Sequence, residues 1–266
     1  MMATPMKSHL VTLSFDDGFA KSFARTAAIY EEFGMKACLN VIAAISSKEV
    51  GSPNTWRNCP VGGLELWNEL AGRGHEIMPH GWDHSNLSGI PFADACRDID
   101  RCLEAFRNNL KGFLQEKAVF NFPYNASTPA VETYLELKVR VRGYRTGPGG
   151  AVNRWPSPET RRITVSAFGP GNCEEHLDHE LGDFLSGGPG ASEAGEAQQG
   201  RPAVATVAPG WFVYNLHGLD EEGWGPITAD YLRRLLERLG SMGHVEVIPA
   251  AVALGKYGSR QAQSPS

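Results

Sequence analysis

Short apolar runs rich in β-branched residues alternate along this chain with longer segments whose apolar residues recur every three or four positions. The short runs predict buried strands, and the periodic segments predict amphipathic helices. Strands are expected at 10–18, 36–43, 75–82, 118–124, 141–146, 162–168, 203–207 with 210–217, and 244–248. Helices are expected at 19–33, 64–71, 92–110, 129–139, 173–185 and 228–239.

Alternation of strands and helices indicates an α/β fold with a parallel sheet and helices outside it. At 266 residues, a closed or nearly closed βα barrel is the leading architecture, and a doubly wound open sheet is second. We expect an N-terminal extension at 1–9, a single domain at 10–257 and a disordered tail at 258–266. The polar, glycine-rich segment 186–202 is expected to be a flexible loop within that domain.

Composition excludes several classes of partner. The formal net charge of -5 and the pI of about 5.9 argue against a nucleic-acid or anionic-membrane surface. There is no run of 18 apolar residues that would span a membrane. The five cysteines show no CxxC spacing and read as reduced thiols, and the first ten residues lack the apolar core of a signal peptide. These features together favour the cytoplasm.

Two groups of chemically reactive residues follow predicted strands. Asp16 and Asp17 end the first strand just before Gly18, and charges at the end of a core strand are usually paired or bound to an ion. A plain Asp-Asp-Gly turn, with Asp17 capping the next helix, is the alternative. His80 and His84 follow the third strand with a spacing that lets both rings reach one metal ion, although this spacing alone is a weak signal.

Two further polar groups stand at strand ends. Tyr124 follows Pro123, which ends the fourth strand, and His217 closes an apolar strand before Gly218. The C-terminal ends of barrel strands share one face, where active sites are built. The sequence therefore predicts that these groups and the earlier acids and histidines form one site.

In order along the chain, the motifs Ser14-Phe-Asp-Asp-Gly18, His80-x3-His84, Phe122-Pro-Tyr124 and Asn215-Leu-His217 resemble those of the polysaccharide deacetylases of the NodB-homology (carbohydrate esterase 4) family. The similarity extends over roughly residues 10–250. It implies a distorted (β/α)7-type barrel and a divalent metal ion. It also implies the removal of acetyl groups from N-acetylated sugars or O-acetylated xylan.

The resemblance assigns a role to each motif residue. It implies that Asp17, His80 and His84 hold the metal, which is expected to be zinc, with cobalt, nickel, manganese or iron as alternatives. Asp16 would then act as the general base on a metal-activated water.

The later motifs supply the remaining roles. The backbone N–H of Tyr124 would contribute to the oxyanion hole, and His217 would be the general acid. Trp82, Arg145 and Trp224 are the candidate substrate-binding residues, the tryptophans as platforms for a sugar ring.

The chain departs from the family pattern at three places. Asn121 stands where the family usually has an arginine that orients the base, and Arg145 or Arg142 on the next strand is a candidate replacement. The segment 151–155 keeps the tryptophan of the fourth motif but neither of its aspartates. Asn215 replaces an aliphatic residue two positions before the final histidine.

The predicted function is the metal-dependent deacetylation of an N-acetylated oligo- or polysaccharide. The departures leave two alternatives open: hydrolysis of a non-sugar amide such as a cyclic ureide or imide, and a catalytically silent barrel that binds sugar. A second acidic and histidine-rich cluster on the helix at 173–185 is interpreted as a solvated helix face.

Overall fold

A computed structural model describes residues 7–46, 55–56, 59–187 and 208–258. The predicted strand at 203–207, nearly all of the predicted loop at 186–202 and the tail from 259 lie outside the described residues. None of the described helices is long and apolar enough to cross a membrane. All five cysteines are free thiols, as predicted.

The strands are β1 (His9–Phe15), β2 (Cys38–Val41), β3 (Thr55–Trp56), β4 (Cys59–Pro60), β5 (Glu76–Pro79), β6 (Val119–Asn121), β7 (Gly143–Arg145), β8 (Val152–Arg154), β9 (Arg162–Ile163), β10 (Ser166–Ala167), β11 (Gly210–Leu216) and β12 (Val245–Val247). The α-helices are α1 (Ala20–Glu32), α2 (Ala43–Ser46), α3 (Leu64–Gly72), α4 (Phe92–Asn109), α5 (Pro129–Tyr134), α6 (Cys173–Ser186), α7 (Ala229–Ser241) and α8 (Ala250–Tyr257). Single turns of 3-10 helix occur at Gln115–Lys117 and Pro123–Asn125, and a π-helical turn at Leu135–Val139 continues α5.

Strand β1 lies at the centre of the larger sheet, whose order is β10-β11-β1-β2-β5. It pairs in parallel with β11 along its whole length, so that Ser14 lies opposite Asn215 and Phe15 opposite Leu216. Its other edge is shared: β12 pairs with the first three residues of β1, and β2 pairs with the last two. This shared edge is one source of the barrel's distortion.

Strands β6, β7 and β9 form a second parallel sheet that continues the barrel wall. The single strand predicted at 162–168 is two short strands, because its start pairs with β7 as β9 and its end pairs with β11 as β10. Between β5 and β6 the contacts run through side chains: His80 donates to the carbonyl of Asn121 at 2.9 Å, and Asn121 Nδ2 donates to the carbonyl of Pro79 at 3.4 Å. The wall therefore runs round as a distorted barrel rather than an open sheet, which confirms the predicted fold class.

The helices cover the barrel with the apolar faces that the sequence indicates. Helix α7, for example, buries a leucine stripe at 232, 235, 236 and 239. Burying one such side chain is worth roughly 1.5–3 kcal/mol. Helix α8, which was not predicted, follows β12 and contacts β1. Its first turn is capped by the buried carboxylate of Glu76, which accepts from the N–H groups of Ala251 and Val252 at 2.9 and 3.2 Å.

Candidate active site

The ends of β1, β5, β6, β10 and β11 meet in a cavity of about 340 Å³ at one end of the barrel. Asp16 and Asp17 follow β1, His80 and His84 follow β5, and His217 follows β11. The cavity is lined by Asp16, Asp17, His80, His84, Tyr124, Asn125, Ala167, Asn215, His217 and Trp224. The parallel barrel thus brings together the polar groups that the sequence places at separate strand ends.

The backbone turns sharply at Asp17, where φ is 79°, and at Gly18, where φ is 86°. This turn points the Asp17 side chain back toward the histidines. The capping alternative for Asp17 is wrong, because the N-cap residue of α1 is Phe19 and no side chain caps it there. The N–H of Ser22 in the first turn is instead satisfied by the carboxylate of Glu222, at 2.8 Å.

His84 Nε2 faces the Asp17 carboxylate, and His80 Nε2 lies between the two acids, 3.5 Å from Asp16 Oδ2. Asp17 Oδ1 lies 3.6 Å from His80 Nε2 and 3.3 Å from His84 Nε2. The other ring nitrogen of His80 donates to the Asn121 carbonyl, which fixes the tautomer that leaves Nε2 as an acceptor. His84 adopts a left-handed backbone with φ of 64°.

The donor set fits a divalent metal ion. One ligand atom from each of Asp17, His80 and His84 lies within 4.8 Å of the other two, and all three residues are buried. Asp17 Oδ1 is buried and makes no hydrogen bond to any described residue. Burial by itself raises the pKa of Asp17, but its contacts with the two histidines outweigh burial and hold the pKa below its usual range. A buried, ionised carboxylate facing two imidazole nitrogens is the ligand set expected for zinc or a similar ion.

Asp16 has a different environment from its neighbour. Arg145 binds both of its oxygens, with Nη1 at 2.9 Å from Oδ1 and Nη2 at 2.5 Å from Oδ2, and Asn40 donates to Oδ1 at 2.7 Å. Burial raises the pKa of Asp16, but the charges of Arg145 and His80 outweigh it, and the pKa lies below its ordinary value. Asp16 is therefore held ionised and oriented, while Asp17 faces both histidines.

The structure distinguishes between the two candidate arginines. Arg145 is buried behind Asp16, and its Nη1 also donates to Ser14 Oγ at 2.8 Å. Arg142 instead donates to the carbonyls of Thr160 and Leu254 and does not contact Asp16. Arg145 is thus the arginine that binds Asp16. It was also a candidate substrate-binding residue, but it does not line the cavity.

Tyr124 and His217 both line the cavity. The side chain of Tyr124 is 57% exposed, its φ is 58°, and its ring lies 4.7 Å from that of His84. The ring of His217 meets Trp224 edge to face at 5.1 Å. Burial lowers the pKa of His217, and the nearby charges of Asp17 and Asp16 oppose this only in part.

Two tryptophans lie away from the cavity. The ring of Trp82 is partly buried, with the guanidinium of Arg101 4.3 Å from its centroid, and it is not among the lining residues. Trp155, which the fourth-motif alignment retained, packs against Tyr257 at 4.8 Å. The alignment of 151–155 with that motif therefore brings no residue to the site.

The acidic and histidine-rich stretch on α6 does not form a second cluster. His176 donates to or accepts from the Tyr214 hydroxyl at 2.7 Å, and Asp178 pairs with Arg238 at 2.8 Å. Among the described residues, the only group placed to hold a metal ion is the one at Asp17, His80 and His84.

Sequence reasoning missed two asparagines of the site. Asn40, on β2, donates to both Asp16 and Ser14. Asn125 lines the cavity and donates to Asn215 Oδ1 at 3.1 Å. The signal for Asn40 was a polar residue in the middle of an apolar strand, a position that requires a buried polar partner.

Comparisons with known proteins agree with this geometry. A family model described as polysaccharide deacetylase matches residues 3–141, just over half of the chain. No curated protein matches the sequence.

Similar solved structures include three carbohydrate esterase 4 or deacetylase proteins. A putative polysaccharide deacetylase from Mycobacterium smegmatis is 16% identical with a TM-score of 0.61, over 100% of this chain and 97% of that one. A family 4 acetyl xylan esterase from Clostridium thermocellum, in complex with cobalt, is 16% identical with a TM-score of 0.54, over 93% and 91%. A CE4 family pseudoenzyme from Bacillus anthracis is 10% identical with a TM-score of 0.54, over 94% and 66%. The fold is thus that of these proteins, and by its family match this chain belongs to the polysaccharide deacetylase family.

Proposed function

We propose that this protein removes acetyl groups from an N-acetylated oligo- or polysaccharide, using a divalent metal ion held by Asp17, His80 and His84. A divalent ion bound by these residues would supply polarisation of the acyl oxygen and a water molecule of lowered pKa. Zinc is the proposed ion, because one carboxylate and two imidazoles suit it and leave positions open for water and substrate.

The chain's own residues handle the protons. Asp16 accepts a proton from the attacking water, and its contacts with Arg145 keep it ionised and aimed before that transfer. The backbone N–H of Tyr124 donates to the oxygen that gains negative charge. His217 gives a proton to the departing amine, and Trp224 beside it offers a face for the sugar ring.

One observation carries the proposal: two adjacent carboxylates have opposite partners. Arg145 binds both oxygens of Asp16, which His80 Nε2 also approaches at 3.5 Å, whereas Asp17 Oδ1 makes no hydrogen bond within the described part of the chain and faces two imidazole nitrogens. Carboxylates whose environments differ in this way take different roles in catalysis.

The test compares metal content and turnover in matched variants. Asp17→Ala and His80→Ala are expected to lose both the metal and acetate release from N-acetylated oligosaccharides. Asp16→Asn is expected to keep the metal and to lose at least about a hundredfold in kcat. His179→Ala, which removes an exposed histidine on α6, is the control and changes neither. Activity that survives chelation and Asp17→Ala would reject the proposal.

A second candidate substrate, a cyclic ureide or imide, is favoured by the polar wall of the cavity. Asn215 donates to the carbonyls of Ser14 and Leu216 and accepts from Asn125, so a network of amides lies beside His217 where the family usually has an aliphatic side chain. A wall of this kind suits a substrate with polar groups next to its scissile carbonyl.

A panel of acetylated oligosaccharides, O-acetylated xylan and small cyclic amides separates these readings. Release of acetate from the sugars alone supports deacetylation, and ring opening of the cyclic amides alone supports the second substrate. Stoichiometric metal without hydrolysis of any panel member would support a catalytically silent barrel.

A further inference from the structure

Asp98 and Arg101, one turn apart on α4, both contact Trp82, which lies between His80 and His84 in the sequence. Asp98, which is 8% exposed, accepts from the backbone N–H of Trp82 at 3.0 Å and from that of Asp83. The guanidinium of Arg101 lies over the Trp82 ring, 4.3 Å from its centroid. Neither Asp98 nor Arg101 lines the cavity. Both act on the loop 81–84 from behind.

That loop has a left-handed backbone at both of its ends, and this conformation is unfavourable at His84. Gly81 has φ of 76° and His84 has φ of 64°. For a residue other than glycine this conformation costs about 1–2 kcal/mol, and it persists only where the surroundings hold it. There is also no spare room at Gly81, where a Cβ atom would lie 2.9 Å from Pro123 Cγ and 3.5 Å from Asp98 Oδ1.

Hydrogen bonds from both sides hold this loop. The carbonyls of Gly81 and Trp82 accept from the N–H groups of Ala43 and Ala44 in the first turn of α2, at 3.1 and 2.7 Å. The N–H groups on the opposite side are bound by Asp98. A carboxylate that accepts backbone N–H bonds forms charge-assisted hydrogen bonds, and Asp98 anchors the N–H groups of the loop in this way.

We propose that Asp98 is a positioning residue for the metal site, and that Arg101 supports it by packing on the Trp82 ring. By holding the backbone at 82–83 and the Trp82 ring, this pair sets the left-handed conformation of His84 and so its distance from Asp17. The inference rests on the proposed metal-binding role of His84. It adds that metal binding depends on the contacts from α4 to the loop 81–84, as well as on the ligand residues themselves.

Cobalt titration of the chelator-treated protein, followed by calorimetry, tests this inference without relying on turnover. Asp98→Ala is expected to weaken Co²⁺ affinity by about 10- to 100-fold, as removal of a residue that orients a ligand does. Asp98→Asn keeps an amide oxygen that can accept the same N–H, so it is expected to retain most of the affinity. Asp100→Ala is the matched control, because this exposed acid on the same helix bonds to the Tyr134 hydroxyl at 2.8 Å.

Urea unfolding of the metal-free variants separates positioning from stability. A purely structural Asp98 would lower the free energy of unfolding while the folded fraction bound Co²⁺ with wild-type affinity, and that result overturns the inference. If Asp98→Ala does not fold, Asp98→Leu, of similar size and without an acceptor, replaces it with the same expected loss. Wild-type protein that binds no Co²⁺ would reject the proposed function and this inference together. Tight binding by both wild type and Asp98→Ala would reject only the inference.

Discussion

Replacing Arg145 by methionine isolates the electrostatic partner of Asp16. Methionine has a similar length and no charge, so the change leaves the buried Asp16 carboxylate with the Asn40 amide at 2.7 Å and His80 Nε2 at 3.5 Å as neighbours. Removing one partner of a buried ion pair costs about 3–5 kcal/mol, because the other charge stays buried without compensation. Against a typical total stability of about 5–15 kcal/mol, this loss is large enough to measure directly.

The assay is urea unfolding in the presence of a chelator, so that metal binding does not contribute. Arg142→Met is the matched control, because its guanidinium donates to two backbone carbonyls, at 2.7 and 3.0 Å, and faces no carboxylate of the site. Losing those hydrogen bonds costs about 1 kcal/mol each. We therefore expect Arg145→Met to be less stable than Arg142→Met by at least about 1 kcal/mol.

The pH dependence gives a second, independent signature. In the wild type, the depressed pKa of Asp16 contributes stability that is present above the unfolded pKa of about 3.9 and is lost as the pH falls further. Without Arg145, burial dominates and the pKa of Asp16 rises. Acidification then protonates Asp16, which removes the buried charge and recovers part of the stability that Arg145→Met has lost. The stability difference between wild type and Arg145→Met is therefore largest at pH 7 and shrinks toward pH 4. A penalty equal to that of Arg142→Met and independent of pH would refute this reasoning.

Three further predictions concern other parts of the molecule. Trp224→Ala is expected to raise KM more than it lowers kcat on an oligosaccharide, since Trp224 lines the cavity beside His217; an unchanged KM would remove it from the binding surface. Burial raises the pKa of Asp98 to about 6, so its contribution to stability is present below pH 4 and is lost as the pH rises through 6. In urea unfolding, the stability of Asp98→Asn relative to wild type should therefore increase by up to about 3 kcal/mol between pH 4 and pH 7. A stability difference that does not change with pH contradicts this. Gly218→Ala should unfold at a lower temperature, since its Cβ would lie 2.0 Å from the Glu222 carbonyl, whereas Gly182→Ala on α6 meets no atom within 4 Å and should not be destabilised.

The sequence alone was sufficient for the features that depend on local pattern. The apolar run at 10–15 predicts β1, the leucine stripe predicts α7, and both are present. The acids after β1 and the histidines after β5 could be identified because a motif is a short-range property, and the barrel's shared strand ends then predict that they meet. Short elements were harder. Helix α8 and the split of 162–167 into β9 and β10 depend on which neighbours pair with them.

Only the tertiary structure decided which side chains surround each acid. Arg145 and Arg142 are three positions apart, yet one lies buried against Asp16 and the other bonds to backbone carbonyls at a distance from it. Trp82 and Trp224 are both candidates for a sugar ring in sequence, with Trp224 the better placed, and of the two only Trp224 lines the cavity. The physical reason is that motifs determine local chain geometry, whereas the partner of a buried charge depends on contacts between strands far apart in sequence. The chain's pattern therefore determines the barrel and its acidic and histidine motifs, and packing across the barrel determines which acid is bound by an arginine and which faces both histidines.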